Sequence, residues 1–160
     1  MDFDFRLIPT VTVKFGDHRD GRFSIRVADS LREPNQKLPS VPWRTGLMVT
    51  AGGCKTESEC WGKASNWMDY SGEVNGEKVG IAILDHPANP HHPAHWQARG
   101  YGLFAANIFG VREFTHGQIA VGSVTLKPGQ TLHLHYRVIV HSGDAPSAKI
   151  PEAYAKYALQ

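Results

Sequence analysis

The chain has 160 residues, enough for one domain with a sizeable core, since a domain near this size removes roughly 70% of its unfolded surface on folding. Hydrophobic content of 41% and charged content of 20% are ordinary for a globular protein, while 16 glycines and 10 prolines ask for many turns and favour β over α. The net charge of +2 comes from 17 basic and 15 acidic residues scattered without blocks, so there is no basic stripe to track nucleic-acid phosphates or an anionic membrane surface.

No run approaches the roughly 20 apolar residues that span a bilayer. The opening MDFDFRLIPT alternates charge with aromatics instead of building a signal peptide, so a soluble chain with no visible address is expected. Cys54 and Cys60 are too widely spaced for a CxxC site, and both free thiols and a disulfide stay open.

In chain order, Asp2 to Leu7 places Phe3, Phe5 and Leu7 on one side, the period of a strand with one buried face. Val11, Val13 and Phe15 repeat the pattern, the polar run Gly16 to Gly21 supplies turn chemistry, and Phe23, Ile25 and Val27 resume it, which predicts a hairpin. From Leu31 to Gly53 the residues Pro34, Pro39 and Pro42 each oppose a helix or central strand, and a long surface excursion is expected. Trp67 to Glu73 and Lys78 to Leu84 flank Val74-Asn75-Gly76-Glu77, where Asn-Gly supplies the positive φ angles of a type I′ hairpin turn.

The run His86 to His95 contains three prolines and is expected to be a stiff loop leaving the preceding strand. Tyr101 to Asn107 is a further candidate strand. Ser123 to Lys127, Pro128-Gly129 and Thr131 to His141 predict a second hairpin, and the tail from Pro151 to Leu159 reads as helix, with proline in its first turn. Many strands and one short terminal helix imply a mostly β, antiparallel β-sandwich or a related barrel-like sheet pair, folded as a single domain over residues 1–160.

Three constellations could carry chemistry. His133 and His135 share one face of the last strand, and His-x-His spacing lets two imidazoles converge on a metal ion; a solvated sheet face that merely carries histidines fits the same spacing, and no third ligand can be placed from sequence. His91, His92 and His95 on the proline loop, with Asp85 and His86 just before it, form the densest group of proton carriers or ligands, held at a strand end where binding residues are often presented. Trp61, Trp67, Trp96 and Tyr101 near Lys63, Asp69 and Arg99 suit sugars, whose CH-rich faces stack on aromatic rings while charged groups bond hydroxyls; the same rings also fit an ordinary core. There is no serine nucleophile elbow, P-loop, dinucleotide fingerprint or HExxH, so those enzyme classes drop out.

At FGDHRDGRFSIRVAD (15–29), CWGKASNWMDYSGEVNGEKVGIAILDHPANPHHPAHW (60–96), YGLFAANIFG (101–110) and LHYRVIVHSGD (134–144) the chain closely resembles the PmoA-like family, labelled a methane oxygenase and otherwise a domain of unknown function. His86, Pro87, Asn89, Pro90, His92, Pro93 and Trp96 match its HP-NP-HP-W pattern, and Trp61, Gly62, Asp69, Tyr101 and Gly102 match others; Gln97 stands where the family commonly has His, and His133 and His135 where it has other residues. Full-length members are about twice as long, with a histidine-rich N-terminal half, so the resemblance implies a C-terminal portion. It further implies a β-sandwich similar to the galactose mutarotase-like fold and an association with sugar degradation.

The leading expectation is therefore a carbohydrate-active or carbohydrate-binding β-sandwich, with His86 and His92 as acid/base groups, Asp85 orienting, and Trp61, Lys63, Asp69, Trp96, Arg99 and Tyr101 contacting a sugar. One alternative is an oxidative enzyme holding copper, iron or another divalent transition metal on histidines of the proline loop or on His133 and His135. The other is a noncatalytic module that pairs with a missing N-terminal half or with another copy, whose signature would be an exposed apolar sheet face.

Overall fold

The computed structural model describes residues 1–20, 23–34, 44–119 and 122–160. It is a mostly β, antiparallel structure consistent with a β-sandwich. Strand β1 (Asp2–Leu7) follows the alternation of its sequence. It edges a five-stranded sheet in the order β1, β10 (Leu132–Ser142), β6 (Glu77–Asp85), β5 (Trp67–Val74) and β4 (Leu47–Thr50). A second sheet orders β3 (Phe23–Arg26), β8 (Leu103–Asn107) and β7 (His95–Arg99), and a short ribbon joins β2 (Val13–Phe15) to β9 (Val124–Leu126).

The expected β5–β6 hairpin forms in full register from Trp67↔Leu84 to Val74↔Glu77. Asn75 at φ 53° and Gly76 at φ 83° occupy the left-handed region that a type I′ turn requires, and asparagine and glycine are the residues that enter it at least cost.

The other two expected hairpins do not form. β2 pairs with β9 through Val13↔Leu126 and Phe15↔Val124, while β3 pairs with β8 through Phe23↔Ala106 and Ile25↔Phe104. After Pro128-Gly129 the chain leaves the ribbon, and β10 takes β1 and β6 as neighbours. Turn residues reverse a chain but do not choose its partner; that choice follows the apolar face each strand has to bury. The expected surface excursion of 31–53 also needs correcting, since Leu31, Met48 and Thr50 are buried; Pro39 and Pro42 lie outside the described residues.

The main core fills the space between the layers. Met48, Met68, Tyr70, Ile83, Tyr136 and Val138 of the large sheet meet Trp96, Ala98, Phe104 and Ala106 of the small one. A second cluster covers the large sheet's outer face, where Trp67, Ala82 and Leu84 pack against Ala145 and against Ile150 and Tyr157 of the terminal helix α3 (Ile150–Tyr157). Two shorter helices, α1 (Thr56–Cys60) and α2 (Val111–Phe114), were not expected, being too short to show a helical period. Cys54 and Cys60 are free thiols, and burial pushes the Cys60 thiol up to about 12. Among the described residues no helix is long and apolar enough to cross a membrane.

Candidate functional site

β6 ends at Asp85, a carboxylate with no exposed surface. Its Oδ1 accepts from the Asn89 amide at 2.7 Å, and its Oδ2 lies 2.8 Å from the Ala94 N–H and 2.7 Å from His92 Nδ1. Asn89 in turn donates to the His135 carbonyl and accepts from the His135 N–H, both at 2.7 Å, so the loop is bonded to β10 like an additional short strand. On its other side the His92 ring places Nε2 3.4 Å from the Tyr154 hydroxyl of α3. A buried carboxylate, an oriented imidazole and a hydroxyl thus stand in series, an order that can hold or move a proton.

His86 is placed differently. Its Nδ1 accepts from the Ala88 N–H at 3.1 Å, and its ring lies edge-on to the Tyr157 ring with centroids 5.0 Å apart. That ring contact packs the start of the loop against the end of α3. Burial and the neighbouring His135 hold its pKa below the usual imidazole range. His91 also points inward, with Nδ1 2.6 Å from the Ile108 carbonyl.

Of the expected sugar contacts, the structure brings Trp61 and Arg99 together. The guanidinium lies 5.4 Å from the half-buried indole centroid and is held by Glu57 at 2.9 Å, with Phe114 edge-on to the indole. Lys63 is exposed, and Tyr101 is exposed with Arg26 over its ring at 5.2 Å. Trp96 and Asp69 need correcting, because both are wholly buried and neither offers a face to a ligand. Trp96 packs in the main core with its Nε1 donating to the Ser65 carbonyl. Asp69 binds His141 Nε2 at 2.6 Å, and burial raises its carboxyl above the usual range. His141 reaches it because its cross-strand partner on β6 is Gly80, where a Cβ would lie 2.3 Å from the imidazole.

His133 and His135 lie on the large sheet's outer face with ring centroids 6.2 Å apart. The register pairs His135 with Asp4 of β1, and ligand atoms of Asp4, His133 and His135 all fall within 4.8 Å of one another.

Sequence reasoning missed a cleft of about 670 Å³ lined by β1 and β3, the edge strands of the two sheets, and by β2. Phe5, Phe15, Phe23, Phe109 and Tyr136 form its aromatic walls, and Lys14, His18 and Asp20 supply polar groups. Asp20 is steadied by the Gln97 amide at 2.8 Å, and His18 donates its backbone N–H to the Phe109 carbonyl. His95, expected on the loop, instead opens β7 and is stacked parallel to Phe114. Burial lowers its pKa.

A family model described as "Family of unknown function (DUF6807)" matches residues 1–155. The chain belongs to that family. The DUF6807 description carries no reaction and no link to the PmoA-like family that the motifs resemble. No curated protein and no solved structure matches the chain.

Two outcomes follow from these networks. Replacing Asp85 by Ala leaves the Asn89 amide, the His92 ring and the Ala94 N–H without their buried acceptor, and urea denaturation should show a loss of about 3 kcal/mol or more; a loss below about 1 kcal/mol contradicts the assignment of Asp85 as the hub. For His95, the lowered folded pKa means that the unfolded chain binds more protons below its own value of about 6.5. Its contribution to stability is complete above that pH and is lost as the pH falls. The difference between wild type and His95→Gln should therefore slope by at most about 1.4 kcal/mol per pH unit below pH 6.5 and be flat above it; a difference that is flat throughout contradicts the burial argument.

Proposed function

We propose that this chain is a carbohydrate-binding β-sandwich domain whose ligand site is the aromatic cleft. The observation that carries the reading is the cleft itself. Its volume of about 670 Å³ falls in the range of small-molecule sites, and aromatic walls with a few polar side chains are the usual composition of such sites. Sugar rings present apolar CH faces that stack on the exposed Phe5 ring and the part-exposed Phe15 and Phe23 rings, while hydroxyls at the ring edge can bond Lys14, His18 and Asp20. The Asp85–His92–Tyr154 series supports catalysis less well, because none of its members lines this cleft. Binding is therefore the function that the geometry favours over turnover.

A second reading draws on one observation. Phe5 is 38% exposed, and Ile8 and Val11 beside it are 66% and 65% exposed, so a second copy of the chain could cover the same apolar surface. It predicts a concentration-dependent dimer in sedimentation, weakened by Ile8→Asp.

The sugar reading is tested by isothermal titration with neutral hexoses, hexuronic acids and β-linked disaccharides. At least one class should bind, and Phe5→Ala and Asp20→Asn should each weaken it about tenfold, the equivalent of roughly 1.4 kcal/mol for a lost stacking or hydrogen-bond partner. Both side chains are exposed enough for the variants to fold, which circular dichroism checks. Absence of binding across the panel, or affinity unchanged in both variants, overturns the proposal.

A further inference from the structure

We propose that Asp4, His133 and His135 form a binding site for one divalent transition ion of the zinc and copper class. The antiparallel register sets Asp4 directly opposite His135, and the two-residue repeat of β10 puts His133 on the same face. His135 Nδ1 already lies 3.6 Å from Asp4 Oδ1, and the three ligand atoms lie within 4.8 Å of one another. Ligands bound at about 2.0–2.2 Å in a tetrahedron stand roughly 3.3 Å apart, so a small side-chain rotation closes the set. Asp4 and His133 are exposed and free to make it.

The donor set points to the class of ion. Two imidazole nitrogens and one carboxylate oxygen suit zinc, copper, nickel or iron, whereas calcium and magnesium prefer all-oxygen cages. Three protein ligands leave at least one position for water. The backbone of His135 is held by both polar atoms of the Asn89 amide, which fixes the ligand's starting point before any ion arrives. One feature opposes binding: Arg6 is the cross-strand partner of His133 and brings a like charge beside the cation. The site does not depend on the sugar-binding reading, because it occupies the opposite face of β1 and β10 from the cleft.

The test uses the tag-free chain titrated with zinc chloride by calorimetry and with copper sulfate by electron paramagnetic resonance. One ion per chain should bind with a micromolar or tighter Kd, and the copper spectrum should show nitrogen hyperfine coupling. His135→Gln and Asp4→Asn should each weaken binding at least tenfold, and Arg6→Gln should tighten it. Because the ion would tie β1 to β10, zinc at about 100-fold above Kd should raise Tm by roughly 5–10 °C in the wild type, and not in His135→Gln at the same zinc concentration. Substoichiometric or multi-site uptake that none of the variants alters, or a copper spectrum without nitrogen coupling, overturns the proposal.

Discussion

The arrangement turns on one buried carboxylate. Asp85 sits where β6 runs out, and its two oxygens receive the Asn89 amide, the His92 ring and the Ala94 N–H. A carboxylate taken out of water is costly unless its acceptor sites are filled, and three converging bonds are what makes this one tolerable. The prolines stiffen the loop so that those bonds can form, and Asn89 then carries the constraint across to the His135 backbone. The histidine-rich motif thus acts first as a clasp. Its rings meet the Ile108 carbonyl, a buried carboxylate and the Tyr157 ring at the end of α3, positions that join the loop to the sandwich.

That clasp holds β10, and β10 serves both candidate sites. Leu134 and Tyr136 turn inward to line the aromatic cleft, while His133 and His135 turn outward beside Asp4. β1 does the same with Phe5 and Leu7 on one face and Asp4 on the other. A one-residue slip between β1 and β10 would exchange the two faces and abolish both sites, which is why register matters more here than the chemistry of any one side chain.

What the sequence made legible was local. The Asn75-Gly76 turn, the alternation of β1, the break imposed by the prolines of 87–93 and the terminal helix each rest on neighbouring residues, and each is present in the fold. What it hid was pairing over distance. Phe15 and Phe23 look like two arms of one hairpin, yet they belong to a ribbon and a sheet whose partners lie about 80 to 110 residues further on. The cleft collects Phe5, Phe15, Phe23, Phe109 and Tyr136 from five separate segments, so no window of sequence contains it. Asp4 becomes a ligand candidate only through its register with His135. Trp96 misled for a related reason: its neighbours in sequence do not show which face it takes, and on β7, between His95 and Gln97, it turns into the core.

On the proposed reading, small molecules bind in the aromatic cleft and not at the histidine-rich loop. Two-dimensional amide NMR during titration with the best-binding sugar separates the two directly. Shifts clustered at the amides of Phe5, Lys14, Phe23 and Phe109, with His86 to His92 unmoved, are the predicted result. Shifts concentrated at His86, Asn89 and His92, with the cleft silent, would contradict it and return the loop to the centre of the function.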